Sequence, residues 1–272
     1  MISALILILV IPLYQALVLS PQGYGTSLNS SEHTATYLAW VGTHLPAFLL
    51  YRVLLIVAFA LILNLPFSLY RIIVAQEIMV QQERENEEIA DEEESEEIAD
   101  EAEEEIEEPE EEEETSDGLP AHAWRGKGFA VLAVWAGITG IGLYVLSSIA
   151  STIYLLIVSQ GYQVTQRLPG GFNSLIGFFS VTTNTVSIGL LALATLFFGA
   201  MIARGGRNLW PGIWVAFGYV AIAVTALLSG SAVSVASAPG GGQAPLASPA
   251  IFLLAIWSAW LGIMLLRLTP EE

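Results

Sequence analysis

The sequence contains no cysteine, which excludes a disulfide framework, a thiolate nucleophile and any cysteine-based metal site. Lysine occurs once, at Lys127, beside eight arginines. Charged residues make up 13% of the chain, about half the share expected of a soluble domain. Low lysine with abundant glutamate and alanine is typical of a high-salt, high-GC organism such as a halophilic archaeon.

The apolar stretches also lack the residues that catalysis or proton-coupled transport would use. No Asp, Glu or Lys lies in the middle of any of them. The three histidines, His33, His44 and His122, fall in polar loops or near the ends of these stretches. There is no H-E-x-x-H or G-x-S-x-G motif, and no phosphate-loop Lys follows Gly240 to Gly242. We therefore expect no enzyme activity and no bound metal or cofactor.

Acidic residues are concentrated in one run, 83–117, which holds 23 of the 27 in the chain and a single base, Arg84. The rest of the chain carries eight bases and four acids, so it is slightly basic. Like charges at i,i+4 oppose helix formation. We expect disorder in ordinary salt, and a solvated helix only in molar salt, where the Debye length falls to about 3 Å. The run is either a solvating spacer or a docking site for a basic protein partner.

This run divides the chain into a two-span N-terminal membrane arm (1–76), an acidic low-complexity cytoplasmic segment (77–120) and a four-span bundle (121–272). A span needs about 20 mostly apolar residues to cross roughly 30 Å of hydrocarbon. Six stretches qualify: Ile2–Leu19, Ala47–Ile73, Phe129–Val158, Phe172–Ala203, Pro211–Ser229 and Pro249–Leu266. The predicted fold class is therefore all-α, a polytopic transmembrane helical bundle in a lipid bilayer.

Several features refine these spans. No base precedes the first one and no good cleavage site follows it, so we expect it to be retained. Residues 37–47 are predicted to form an interfacial helix. Arg52 and Arg71 lie near the ends of the second span, where long side chains can reach water, and Asn64 and Pro66 are expected to kink it. Residues 230–248 are uncharged and rich in small residues, which predicts a flexible loop.

Six spans place both termini and the acidic run on one side of the membrane. Seven of the nine bases belong to that side: Arg71, Arg84, Arg125, Lys127, Arg204, Arg207 and Arg267. The positive-inside rule then predicts a plasma-membrane protein with cytoplasmic termini. Asn29, in an Asn-Ser-Ser sequon, falls outside, as glycosylation would require. We interpret the Arg204-Gly205-Gly206-Arg207 motif as a topology anchor and expect no nucleic-acid partner.

The most polar intramembrane stretch lies in the fourth span. Its candidate residues for contact with a solute or an ion are Ser180, Thr182, Thr183, Asn184, Thr185 and Ser187. Hydroxyls and an amide can coordinate a partly dehydrated ion, especially where a helix is broken. Serine and threonine also bridge neighbouring helices, so packing between helices is the favoured interpretation and solute or ion contact is the alternative.

Small residues recur at intervals of four in the third span. The pairs Ala133/Gly137 and Ala136/Gly140 form faces that let helix backbones approach closely. They favour packing inside the bundle, with a hinge or a homo- or hetero-oligomer contact as the alternative. The leading interpretation of the whole chain is a structural or accessory membrane protein. The alternative is a small transporter or channel for a neutral solute or Na⁺.

Overall fold

The computed structural model describes residues 1–24, 33–76, 123–237 and 247–267, together with 78, 79, 82 and 86. Six helices in this part of the chain are long and apolar enough to cross a membrane, which confirms the predicted multi-pass all-α bundle. Asn29, and the acidic run apart from Asn86, lie outside the described residues. The predictions of glycosylation, disorder and docking made for them stay predictions.

We number the helices in chain order. The uninterrupted ones are α2 (His33–Thr43), α4 (Ala123–Thr165), α6 (Gly212–Ser237) and α7 (Ala247–Arg267). Two π-helical segments, Ile6–Val10 and Gln15–Leu19, lie within α1 (Ile2–Leu19), and α3 (Leu45–Gln76) has one break. The remaining helix, α5, consists of Phe172–Ser180, the π-helical segment Val181–Val186 and Ser187–Leu209.

The spans pack against one another in chain order and close into a ring. Contacts join α1 to α3, α3 to α4, α4 to α5, α5 to α6 and α6 to α7, and α7 returns to α1. At this closure Met1 occupies the space beside Gly262. The short helix α2 covers one end of the ring, where Gln163 Nε2 of α4 donates to the Ala39 carbonyl at 3.0 Å. This end is called the α2 end below.

One face of α1 is turned away from the ring. Leu5, Leu9, Leu13 and Leu17 are each about half exposed or more. Residues four apart share a helix face, so these leucines form one apolar stripe. Such a stripe suits contact with lipid acyl chains, in keeping with a bilayer environment.

The second span is interrupted where the sequence predicts a kink. Its first part, Leu45–Ile62, ends at Leu63, whose N–H bonds the Ala60 carbonyl at 3.2 Å. Pro66 has no N–H, so it cannot donate to the carbonyl four residues earlier. Its ring lies against α4 instead, where a Cβ added at Gly137 would come within 2.8 Å of it.

The fifth span is longer than predicted. The sequence predicted that it ends at Ser229 and that residues 230–248 form a loop. This is wrong for 230–237, which belong to α6, and for 247–248, which belong to α7, while residues 238–246 lie outside the described part of the chain. Ala232 and Val235 are buried, so this part of α6 packs as a helix. Small residues signal a loop in a soluble protein, but they allow close helix packing in a membrane.

Candidate functional site

The polar stretch predicted in the fourth span coincides with the π-helical segment of α5, Val181–Val186. Such wide turns within α-helices are frequent at functional sites. Here side chains of the same helix bond one carbonyl of this segment and one carbonyl of the α-helical turn before it. Ser187 Oγ donates to the Thr182 carbonyl at 2.8 Å, and Thr182 Oγ1 donates to the Phe178 carbonyl at 2.9 Å.

Two other hydroxyls of this stretch connect α5 to its neighbours. Thr183 Oγ1 donates to Ser147 Oγ of α4 at 2.8 Å, and both residues are buried. On the other side, Thr185 Oγ1 donates to the Ala232 carbonyl of α6 at 3.3 Å. Thr183 and Thr185, which the sequence suggested as solute contacts, therefore connect α5 to α4 and to α6.

Asn184 lies between the two bridging threonines and takes part in neither bond. Phe178 and Val186 are strongly exposed and mark the lipid-facing side of α5. Asn184 and Ser180 are both partly buried, so neither is as exposed as these two residues.

The Ser147–Thr183 bond gives the first testable prediction. Ser147→Ala and Thr183→Val should each destabilise the bundle by about 1–2 kcal/mol. The first leaves the buried Thr183 hydroxyl without its acceptor, and the second leaves Ser147 Oγ with only its 3.4 Å bond to the Phe179 carbonyl. The double variant should cost less than the sum, with a coupling of about 0.6–1.7 kcal/mol. Unfolding in mixed detergent, followed by tryptophan fluorescence, measures the stability of the wild type, the two single variants and the double variant. Ser180→Ala is the matched control. If the stability losses of the two single variants add up to that of the double variant, the Ser147–Thr183 bond is contradicted.

The predicted small-residue face of α4 lies at close helix contacts. Ala133 is fully buried. A Cβ at Gly140 would lie 2.9 Å from the Ser187 carbonyl oxygen of α5, and one at Gly137 would lie 3.4 Å from Ala194 Cβ. Glycine at these two positions therefore sets how closely α4 approaches α3 and α5.

The sequence analysis did not predict a second close approach, between α5 and α6. A Cβ at Gly199 would lie 2.8 Å from the Gly218 carbonyl oxygen, and one at Gly218 would lie 3.0 Å from the Ala203 backbone nitrogen. The Thr195 and Thr225 hydroxyls also meet at 2.9 Å between these helices. The spacing of Gly199 and Ala203, four residues apart, was the sequence signal that could have identified this contact.

Arg52 lies near the start of the second span, seven residues after Leu45, and its side chain contacts α4. The expectation that it reaches water from this end of the span stays a prediction. Its Nη2 donates to Ser151 Oγ at 3.3 Å, and its guanidinium lies 5.5 Å from the centroid of the Phe48 ring. Its Nε is buried without a hydrogen-bond partner among the described residues. Its place seven residues after the start of a 32-residue span is nearer the end than the centre, where a charge would be most costly.

An aromatic cluster covers Arg52 at the α2 end of the bundle. The Tyr24 ring lies 5.0 Å from the Trp40 ring and 5.9 Å from the Tyr51 ring, centroid to centroid. Trp40 Nε1 donates to the Gln22 carbonyl at 2.7 Å. Burial raises the pKa of Tyr24, and it also raises the pKa of Tyr37 while the nearby positive charge of Arg52 opposes that rise. Both phenols are therefore neutral at physiological pH.

Among the described residues, no three His, Cys, Asp or Glu side chains come together as a metal site would require. No protein-family model, curated protein or solved structure matches this chain. Its function is therefore inferred from the geometry of the polar contacts above.

Proposed function

We propose that this chain is a non-enzymatic integral membrane protein of structural or accessory type. Its spans would hold the acidic segment 83–117 at the cytoplasmic face of the plasma membrane, either as a solvated spacer or as a docking site for a basic protein partner. The excess of arginine beside the predicted cytoplasmic ends of the spans supports this orientation.

The observation that carries the proposal is the use of hydroxyl groups within the bundle. Thr183 and Thr185 bond to α4 and α6, and Ser187 bonds to its own helix. A hydroxyl that donates its proton to a neighbouring helix is held in place by that bond and cannot donate to a passing solute without first breaking it. The polar stretch therefore serves best as a connection between helices.

The docking form of the proposal is tested by co-purification in mild detergent. The full-length protein is compared with a variant in which every Glu and Asp of 83–117 is replaced by Gln or Asn, which keeps the length of the segment. A basic partner should be retained by the first and lost by the second, and higher salt should weaken the retained complex. Recovery of the same partners by both proteins would exclude docking and leave the spacer.

A small transporter or channel for a neutral solute or Na⁺ is the second candidate, and Asn184 favours it. It is partly buried between the two bridging threonines, within the π-helical segment of α5. Thr183→Val combined with Asn184→Leu should abolish flux of Na⁺ or of a neutral solute into liposomes. Phe178→Leu, on the lipid-facing side, is the matched control. Unchanged flux in the double variant would remove this site from consideration.

A further inference from the structure

Asn64 places a carboxamide on the outer surface of the membrane helix α3. It follows the unbroken apolar run 53–63, and its side chain is exposed. Its backbone carbonyl accepts a hydrogen bond from Ser68 Oγ at 3.0 Å, but its amide bonds to none of the described residues. Arg71 follows seven residues later, about 10 Å along the helix. An amide that faces hydrocarbon lacks a hydrogen-bond partner, so it favours contact with another polar group.

The outer surface of α1 differs from that of α3. Its exposed stripe consists of leucines alone. The carboxamide of α1 belongs to Gln15, which is partly buried and donates from Nε2 to the Tyr51 hydroxyl of α3 at 2.8 Å. Polar side chains in membrane helices generally face other protein groups in this way. The exposed amide of Asn64 therefore indicates a protein contact on the outer face of α3.

Asn64 belongs to a continuous stripe of exposed residues on α3. The members follow one another at intervals of three and four residues, and they are Leu50, Val53, Val57, Ala60, Asn64 and Phe67. This alternation has a mean period of 3.5 residues, which is the period of two helices that coil around each other. Ala60, one turn before Asn64, has a small side chain and lets a second backbone come close to the amide.

We propose that a second copy of this chain packs against this stripe, and that Asn64 of each copy bonds Asn64 of the partner subunit. Copies inserted in the same membrane have the same orientation, so the twofold axis lies along the membrane normal. Residues on such an axis meet their own counterparts. A carboxamide has both donors and an acceptor, so two of them satisfy each other. A single polar residue on an apolar seam also fixes the register of the two helices.

Two charged features lie beyond the stripe and set the conditions of the test. Arg71 is exposed, and its long side chain can extend to the membrane surface, so the two copies of this arginine can separate. The acidic run 83–117 holds 23 acids in each copy, and like charges repel. At 1 M salt the Debye length is about 3 Å, which screens this repulsion. Association is therefore measured at molar salt.

Sedimentation equilibrium of the full-length protein in density-matched detergent measures the dimer dissociation constant. Asn64→Leu should weaken the dimer about tenfold or more, because it removes both amides from the contact. Asn64→Gln keeps a carboxamide and should bind more tightly than Asn64→Leu. Leu9→Ala, on the leucine stripe of α1, is the matched control and should dimerise as the wild type does. A monomeric wild type, or equal dissociation constants for the wild type and Asn64→Leu, would overturn the proposal.

Cross-linking tests the same contact with Asn64 in place. The natural chain contains no cysteine, so Ala60→Cys introduces a single thiol one turn from the amide. Oxidation in native membranes should join two Ala60→Cys chains into a product of twice the chain mass. Leu9→Cys, equally placed on an exposed stripe of α1, should stay monomeric. Absence of the product from Ala60→Cys, equal cross-linking of both variants, or a product with a different protein would each contradict a second copy at this face.

Discussion

Replacement of Gly199 by leucine is expected to separate α5 from α6 and to cost about 3 kcal/mol of unfolding free energy. A Cβ at this position would lie 2.7 Å from Ala221 Cβ and 2.8 Å from the Gly218 carbonyl oxygen. The second contact is with backbone, which cannot rotate away as a flexible side chain can. The two helices would therefore have to move apart, and the nearby Thr195–Thr225 hydroxyl contact would be strained with them.

Unfolding in mixed detergent, followed by circular dichroism, measures this loss. Gly189→Leu on the same helix is the matched control, because a Cβ there meets nothing within 4 Å. It should be neutral or stabilising by up to about 1 kcal/mol, since glycine is a poor helix former. Equal unfolding midpoints for the two leucine variants would contradict the α5–α6 packing.

Trp257→Ala is expected to have an effect of similar size, a loss of about 3–5 kcal/mol. Trp257 is fully buried and stacks on Phe217 with ring centroids 4.7 Å apart and planes 9° apart. Its Nε1 donates to the Phe217 carbonyl at 3.2 Å. Alanine would leave a large cavity between α6 and α7 and would remove the hydrogen bond to the Phe217 carbonyl.

Two variants separate these contributions. Trp257→Phe keeps the stacking and loses only the hydrogen bond, so it should cost about 1 kcal/mol. Trp135→Ala removes a tryptophan that is 65% exposed on α4, and it should change the stability little. The same unfolding assay ranks the stabilities of the three variants. A large loss of stability in Trp135→Ala would mean that this face of α4 is packed against protein and does not face lipid.

The spans could be predicted from the sequence because each is a continuous apolar run. Membrane crossing depends on length and hydropathy, which are local properties. The kink before Pro66 could also be predicted, because proline removes a donor wherever it occurs. The end of α6 could not, since Gly, Ala and Ser suit both a loop and a closely packed membrane helix. Closure of the ring through Met1 and Gly262 joins residues at opposite ends of the chain, and no local pattern indicates it.

The candidate site was predictable in composition but not in geometry. The sequence identified the hydroxyls from Ser180 to Ser187, yet which of them meet other helices depends on the π-helical turn, which has no simple sequence signature. It also identified Arg52 as a charge inside an apolar run. Its direction depends on the angle at which α3 meets α4, so the contact with Ser151 emerges only in the folded bundle.

The measurement that tests the account most directly is the accessibility of single cysteines, which is clean because the natural chain contains none. Cysteines are placed one at a time at Asn29, Ser95 and Thr183, and intact cells are treated with an impermeant maleimide. We predict labelling at Asn29 and none at Ser95 or Thr183, with all three labelled after denaturation. Labelling at Thr183 would mean that water reaches the polar stretch, which would contradict its role as a packed helix contact. Labelling at Ser95 would mean that the acidic segment lies outside the cell, opposite to the predicted orientation.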